Sequence, residues 1–385
     1  QLLLTSDPSC AELSAELEEL LQQQEKYVST LASARAQVAQ KPDDCWSYYN
    51  LWEVLVKQNK LVEVETLCHE VVEAQPEAFW HYLNLGEVLT RQDKIAEAIR
   101  CYQTVSYKQS LASIISKRTG KMPVPQDTDT GKMPVPQNWN LKSVKVPNFI
   151  IIGSQRCGTT SLYTYLAQHP QILTPIKKEM DFLSWHFERG IDWYLAHFPP
   201  MPQGGEFVTG EASPSYFDCR EAPKRLYSLF PEAKLIVLLR NPVDRAISHF
   251  YRLKGLNWEG RSLDRAISDE IERLNQNPEY IIGEEPGNYL ARGRYIEFIK
   301  NWLAFFPREQ LLILKSEDFY AGAAATVQQV LEFLDLPEYQ LPEYQNANPG
   351  FYPRVNESVR CCLSDYFKPY NQELEEYLGR KFDWE

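Results

Sequence analysis

The chain has 385 residues, of which 44% are hydrophobic and 24% charged, and its formal net charge is −12. That length predicts two domains rather than one, and the apolar content excludes a wholly disordered chain. The acidic balance argues against broad nucleic-acid or membrane-surface binding, but it leaves room for a small basic pocket around an anion.

No apolar run approaches the ~20 residues of a membrane-spanning helix, and the opening QLLLTSDPSC lacks the charged and apolar regions of a signal peptide. The chain opens without Met, which leaves room for an upstream segment. The eight cysteines are scattered apart from Cys361-Cys362, and adjacent cysteines do not pair easily. No C-x-x-C or His/Cys cluster marks a zinc site, so no metal is expected. A reducing, cytoplasmic compartment with free thiols follows. The sequon Asn356-Glu357-Ser358 carries little weight without a secretory signal.

Residues 10–40 are rich in Ala, Glu, Leu and Gln and predict a helix, with Leu13, Leu17, Leu20 and Leu21 forming one stripe. An internal repeat follows. Pro42, Trp46, Tyr48, Leu51, Leu55 and Gln58 recur 34 residues later as Pro76, Trp80, Tyr82, Leu85, Leu89 and Gln92. The second copy also has Leu85-Gly86, Ala98 and Tyr102, whereas Trp52 and Val64 occupy two small-residue positions of the first. This pattern resembles tetratricopeptide repeats, at 41–74 and 75–108 within a helical module spanning 1–117; a one-off pair of helical hairpins is the alternative. Such a short solenoid suits a protein partner in a small groove. Residues 118–143 predict an extended linker, since GKMPVPQ stands at 120–126 and again at 131–137.

From 144 to 385 the texture becomes α/β. The runs VPNFIIIG, KLIVLLR and QLLILK read as buried strands, each followed by a helical stretch. A parallel sheet with flanking helices is expected, its ligands at the carboxyl ends of the strands. The first strand runs into Gly153-Ser154-Gln155-Arg156-Cys157-Gly158-Thr159-Thr160-Ser161 and then a helix. Such a loop cradles an anion, because glycines permit the tight turn and free N–H groups at the helix start point at the ligand. The glycine spacing is that of a nucleotide P-loop, but Thr159 stands where that motif needs Lys.

The loop resembles the 5′-phosphosulfate loop of sulfotransferases that use 3′-phosphoadenosine 5′-phosphosulfate (PAPS), with Arg156 in place of the usual Lys. Arg240 at a strand end and Ser248 on the next helix resemble that family's 3′-phosphate site. Gly210-Glu211-Ala212-Ser213-Pro214-Ser215-Tyr216 resembles the E-K-S-P-S-Y segment of heparan-sulfate-type members, which implies Glu211 as base and an Ala in place of a Lys at 212. Lys178 matches a family Lys near the transferred sulfate, and Tyr352 and Arg354 match the C-terminal cofactor-flanking loop. The resemblance covers about 145–385.

It implies a sulfuryl transfer to a hydroxyl or amine of a saccharide, glycolipid or small-molecule acceptor. Gln155, Arg156, Cys157, Gly158, Thr159, Thr160, Ser161, Arg240, Ser248, Tyr352 and Arg354 would hold PAPS. Arg156 and Lys178 would stabilise the transferring group, and Glu211 would take the proton, with His249 as a rival base. Two other readings stay open at this point: a P-loop kinase or NTPase, and a repeat-based interaction protein whose catalytic domain is inactive.

Overall fold

Good helix formers dominate the first third of the sequence, and the described part of that third is helical. The structure, a computed structural model, describes residues 8–40, 45–74, 79–119, 147–201, 207–276, 287–344 and 353–384. It divides into two compact units, Gln1–Val105 and Ser106–Glu385. The expected linker, from 120 onward, lies outside the described residues, as do the side chains of Leu13, Leu17, Leu20, Pro42, Trp46, Tyr48 and Pro76.

The first unit is built from α1 (Pro8–Gln40), α2 (Cys45–Lys57), α3 (Leu61–Ala74), α4 (Phe79–Arg91) and the start of α5 (Ile95–Thr119). Leu21, from the predicted stripe of α1, is exposed. Leu51, Leu55, Val64, Leu85, Leu89 and Ala98 are buried. The turns between helices recur at the sequence spacing. Asn59 and Asp93 both take left-handed backbone, with φ of 54° and 61°, a conformation that Asn and Asp tolerate well. The next N–H closes each turn, Lys60 onto the Leu55 carbonyl at 3.0 Å and Lys94 onto Leu89 at 2.9 Å. Gly86 has a packing role, because a Cβ there would lie 2.6 Å from the ring of fully buried Tyr102.

The division between units falls inside α5, earlier than the boundary expected at 117, so Ser106–Thr119 belongs with the second unit. Lys117 is one reason. Its ammonium donates to the carbonyls of Ala167, His169 and Ile172, just past the C-terminus of α6 (Thr159–Leu166). Burial pushes that ammonium down to about 8.

The second unit carries a five-stranded, all-parallel sheet. Its strands are β1 (Phe149–Gly153), β2 (Ile172–Leu173), β3 (Val208–Ala212), β4 (Lys234–Leu239) and β5 (Leu311–Lys315), in spatial order β2-β3-β1-β4-β5. The all-apolar runs of β1 and β4 are explained by their interior places, covered on both faces. The remaining helices are α7 (Phe182–Trp185), α8 (Ile191–Leu195), α9 (Ala222–Leu229), α10 (Pro242–Gly255), α11 (Leu263–Gln276), α12 (Tyr295–Leu303), α13 (Ser316–Ala321), α14 (Ala323–Phe333) and α15 (Glu357–Leu378). Ile151, Ile236, Leu238 and Leu314 of the sheet pack with Leu162 of α6 and Val330 and Leu331 of α14. Ile247 and Phe250 of α10 pack with Ile267 of α11 and Leu363 and Phe367 of α15.

Two details differ from the sequence reading. The short β2 was not foreseen, since two residues carry no periodic signal. β3, which the apolar runs do not announce, carries Glu211 within the strand, opposite Ile150. Gly210 makes this pairing possible, because a Cβ there would sit 2.4 Å from the Phe149 carbonyl oxygen.

Candidate active site

The glycine loop turns because two of its residues take left-handed backbone, Arg156 at φ 69° and Gly158 at φ 97°. A side chain at 158 would be strained by that φ and would also meet the Tyr320 hydroxyl at 3.1 Å. α6 then starts at Thr159, with no side-chain hydrogen bond capping its N-terminus. Leading N–H groups of this kind favour an anion. Gln155, Arg156 and Thr160 are half-buried; Thr159 and Ser161 are buried. Cys157 is placed differently from its loop neighbours. Its side chain is buried, its N–H donates to the Ser154 carbonyl at 3.3 Å, and its own carbonyl accepts from Ser316 Oγ at 2.7 Å. It acts as a core anchor for the loop, and burial pushes its thiol pKa up.

Cations converge here. Arg156 Nε donates to Ser248 Oγ at 3.2 Å, and Arg240 Nη1 donates to the Arg156 carbonyl at 3.3 Å. Burial lowers the Arg156 pKa, helped by the charges of Arg252 and Arg240. Lys178 Nζ donates to Thr160 Oγ1 at 2.6 Å and pairs with Glu179 at 2.7 Å. The structure thus joins Arg156, Arg240, Ser248, Lys178 and Thr160, which lie far apart in sequence. Arg252 was missed; it follows Ser248 by one helical turn on α10, and that i, i+4 spacing was the available signal. Three guanidinium groups in mutual repulsion around uncapped helix N–H groups fit a doubly anionic phosphoester ligand, whose charge would relieve the repulsion.

Glu211 is fully buried in β3, opposite Ile150 of β1. Its Oε1 accepts from the hydroxyls of Tyr194 at 2.6 Å and Tyr216 at 2.8 Å, and its Oε2 accepts from Ser213 Oγ at 2.6 Å. Burial raises its pKa from 4.5 to about 7, against these three hydrogen bonds, and nearby Asp181 adds to the rise. Asp181 is joined to the same cluster, its N–H donating to Ser213 Oγ at 3.1 Å and its carboxylate accepting from Ser215. Asp181 and Glu179 both have left-handed φ, of 52° and 58°. Tyr194, Tyr216 and Asp181 were not identified from sequence, since they become neighbours of Glu211 only through the fold.

His249 is buried and packs edge-on to Tyr289, with ring centroids 5.3 Å apart. Burial, together with the charges of Arg245, Arg292 and Arg156, holds its pKa well below 6.5. It therefore stays neutral and weakly basic at neutral pH. Arg354 is exposed ahead of α15, and no described contact joins it to the loop; Tyr352 lies outside the described residues.

An anion cradle at a strand's carboxyl end, with a carboxyl group of raised pKa on the neighbouring strand, defines an enzyme that moves a charged group from a phosphorylated donor. Comparison narrows the class. The sulfotransferase domain family matches residues 146–347, more than half of the chain, and the chain belongs to that family. The membrane-associated sulfotransferase kil1 of Dictyostelium discoideum is 27% identical over 320 residues, covering 63% of this chain and 68% of that protein. The bifunctional heparan sulfate N-deacetylase/N-sulfotransferase 3 of Homo sapiens is 32% identical over 266 residues, or 61% of this chain but 30% of that protein. The chain thus spans about a third of the length of the bifunctional relatives. A sulfotransferase structure from Alicyclobacillus acidocaldarius superposes with a TM-score of 0.55 at 31% identity, covering 63% of this chain and 99% of that one. The family implies PAPS as the sulfate donor.

Proposed function

We propose that the second unit transfers the sulfuryl group of PAPS to a hydroxyl or amine of a saccharide or glycolipid acceptor. PAPS supplies the activated sulfuryl group. The loop N–H groups with Thr159, Thr160 and Ser161 hold the 5′ end, and Arg240 and Ser248 hold the 3′-phosphate. Arg156 and Lys178 stabilise charge on the oxygens around the transferring sulfur, so the charge stabilisation is assigned to side chains rather than to a metal.

Glu211 takes the acceptor proton. Its Oε2 accepts from Ser213 Oγ alone, against two hydroxyls on Oε1. A pKa of about 7 suits proton transfer near neutrality. The observation that carries the proposal is the meeting of Arg156, Arg240, Arg252 and Lys178 around α6, one strand from that carboxyl group.

The saccharide is favoured by the heparan sulfate named in the human relative. A panel of unsulfated polysaccharides and glycolipids, incubated with sulfate-labelled PAPS, tests it. Label on none of them, with transfer to a small phenol or alcohol instead, would overturn the saccharide acceptor.

The 34-residue recurrence of the Asn59 and Asp93 turns supports a tetratricopeptide-like module with a protein partner. The free state of Cys68, Cys101, Cys157, Cys219, Cys361 and Cys362 supports a cytoplasmic setting.

A further inference from the structure

One peptide plane next to the site is held on both edges. It is the plane joining Arg240 to Asn241. Its carbonyl, that of Arg240, accepts from the Tyr295 hydroxyl at 2.9 Å. Its N–H, that of Asn241, donates to Glu317 Oε1 at 2.8 Å. The other oxygen of Glu317 accepts the indole N–H of Trp384 at 3.2 Å. The Trp384 ring packs edge-on to Tyr295 at 5.8 Å and stacks on Phe382 at 4.4 Å. Phe382 is fully buried, and its N–H is tied to Glu375 at 2.8 Å. Tyr295, Glu317 and Trp384 thus form a bracket around the root of Arg240, built from α12, α13 and the segment after α15.

The bracket has a use that a simple core contact would not. A strand-end arginine has several rotatable bonds, and its direction starts from the peptide that carries it. Fixing both edges of that peptide lowers the entropy lost when the guanidinium takes up a ligand. Asn241 also accepts the Val243 N–H at 2.9 Å as the cap of α10, so the same bracket sets the helix that carries Ser248 and Arg252.

We infer that Glu317 and Trp384 are positioning residues for the 3′-phosphate, acting through the Arg240–Asn241 peptide. The inference rests on the proposed assignment of Arg240 to that phosphate. It calls for a comparison of two nucleotides by calorimetry on the full chain: 3′-phosphoadenosine 5′-phosphate, and adenosine 5′-phosphosulfate, which lacks the 3′-phosphate.

Glu317→Ala should weaken the first by about tenfold and the second by less than about twofold, because the hydrogen bonds lost serve the 3′ side. Glu317→Gln keeps one acceptor and should recover part of the loss. Trp384→Phe keeps the ring and removes the donor, and about a threefold loss confined to the first nucleotide is expected. Melting curves without nucleotide check that each variant is folded, and Trp384→Phe provides the conservative test should Glu317→Ala unfold. Arg240→Ala separates the two levels. If it abolishes the preference for the 3′-phosphate while Glu317→Ala and Trp384→Phe weaken both nucleotides equally, or neither, the bracket is overturned and the phosphate site stands. If Arg240→Ala itself weakens both equally, the phosphate assignment falls and the bracket's role falls with it.

Discussion

Replacing Glu211 by Gln should separate chemistry from binding and reveal a cost that the fold carries. The carboxyl group is fully buried, and its pKa rises from 4.5 to about 7, first because of burial. That shift corresponds to roughly 3 kcal/mol in favour of the protonated form. Between those two pH values the folded protein keeps a proton that the unfolded chain has released. Stability therefore falls as pH rises through this window, and the full cost is present above about 7. Gln carries no charge, and the hydroxyls of Tyr194, Tyr216 and Ser213 can turn to meet it. Between pH 5 and pH 8 the wild-type melting temperature should fall by about 5 °C more than that of Glu211→Gln. In the same buffers, turnover at saturating PAPS and acceptor should rise with pH toward about 7 in wild type. It should drop by about a hundred- to ten-thousandfold in the variant, with PAPS affinity nearly unchanged. Two results would refute this reasoning: parallel melting shifts in both proteins, or a Gln variant keeping more than about a tenth of the rate while His249→Asn loses it.

Arg240→Ala should weaken PAPS about ten- to a hundredfold in calorimetry, because a charge-assisted contact is lost, and Ser248→Ala should cost less. Adenosine 5′-phosphosulfate should be far less sensitive to both changes. Gly158→Ala should weaken PAPS and lower the melting temperature, since a left-handed backbone costs a side chain about 1–2 kcal/mol; unchanged binding would show that the loop can relax. Lys117→Ala should destabilise the second unit by about 1–3 kcal/mol, measured by denaturant titration, because buried carbonyls lose their donor.

The sheet was legible because interior parallel strands must be apolar throughout, as β1 and β4 are, and the edge strand β5 still carries an apolar run, LLIL. The glycine loop and Arg240 were legible because they occupy a helix start and a strand end, where sequence spacing fixes position, and Ser248 follows in the middle of the next helix. The surroundings of Glu211 were not. Tyr194 comes from α8, Tyr216 from the turn after β3 and Asp181 from the segment before α7, and no spacing rule joins them. The direction of the Cys157 side chain was not legible for a related reason. Loop membership says nothing about which way a side chain points, and here it points inward. The division inside α5 has no sequence signal, because α5 reads as one uninterrupted helix and helical propensity cannot tell which of its residues pack with which unit.

The strand order accounts for how the site divides its work. β1 lies between β3 and β4, so the loop after β1 is flanked by the strand that carries Glu211 and the strand that leads into Arg240. Two strand spacings of about 4.8 Å separate β3 from β4, and the register sets Glu211 level with Ile150 and Leu235, five residues before Arg240. The same separation keeps the charges consistent. Burial, with the charges of Arg245, Arg292 and Arg156, holds His249 neutral. Glu211, walled in by Tyr194 and Tyr216 on the other side, is raised by burial rather than neutralised by those arginines. A base placed on β4 would lie among the cations, with its pKa driven down and its proton affinity lost. The sheet topology, more than any single residue, is therefore what lets a carboxyl group of raised pKa coexist with a cluster of arginines in one site.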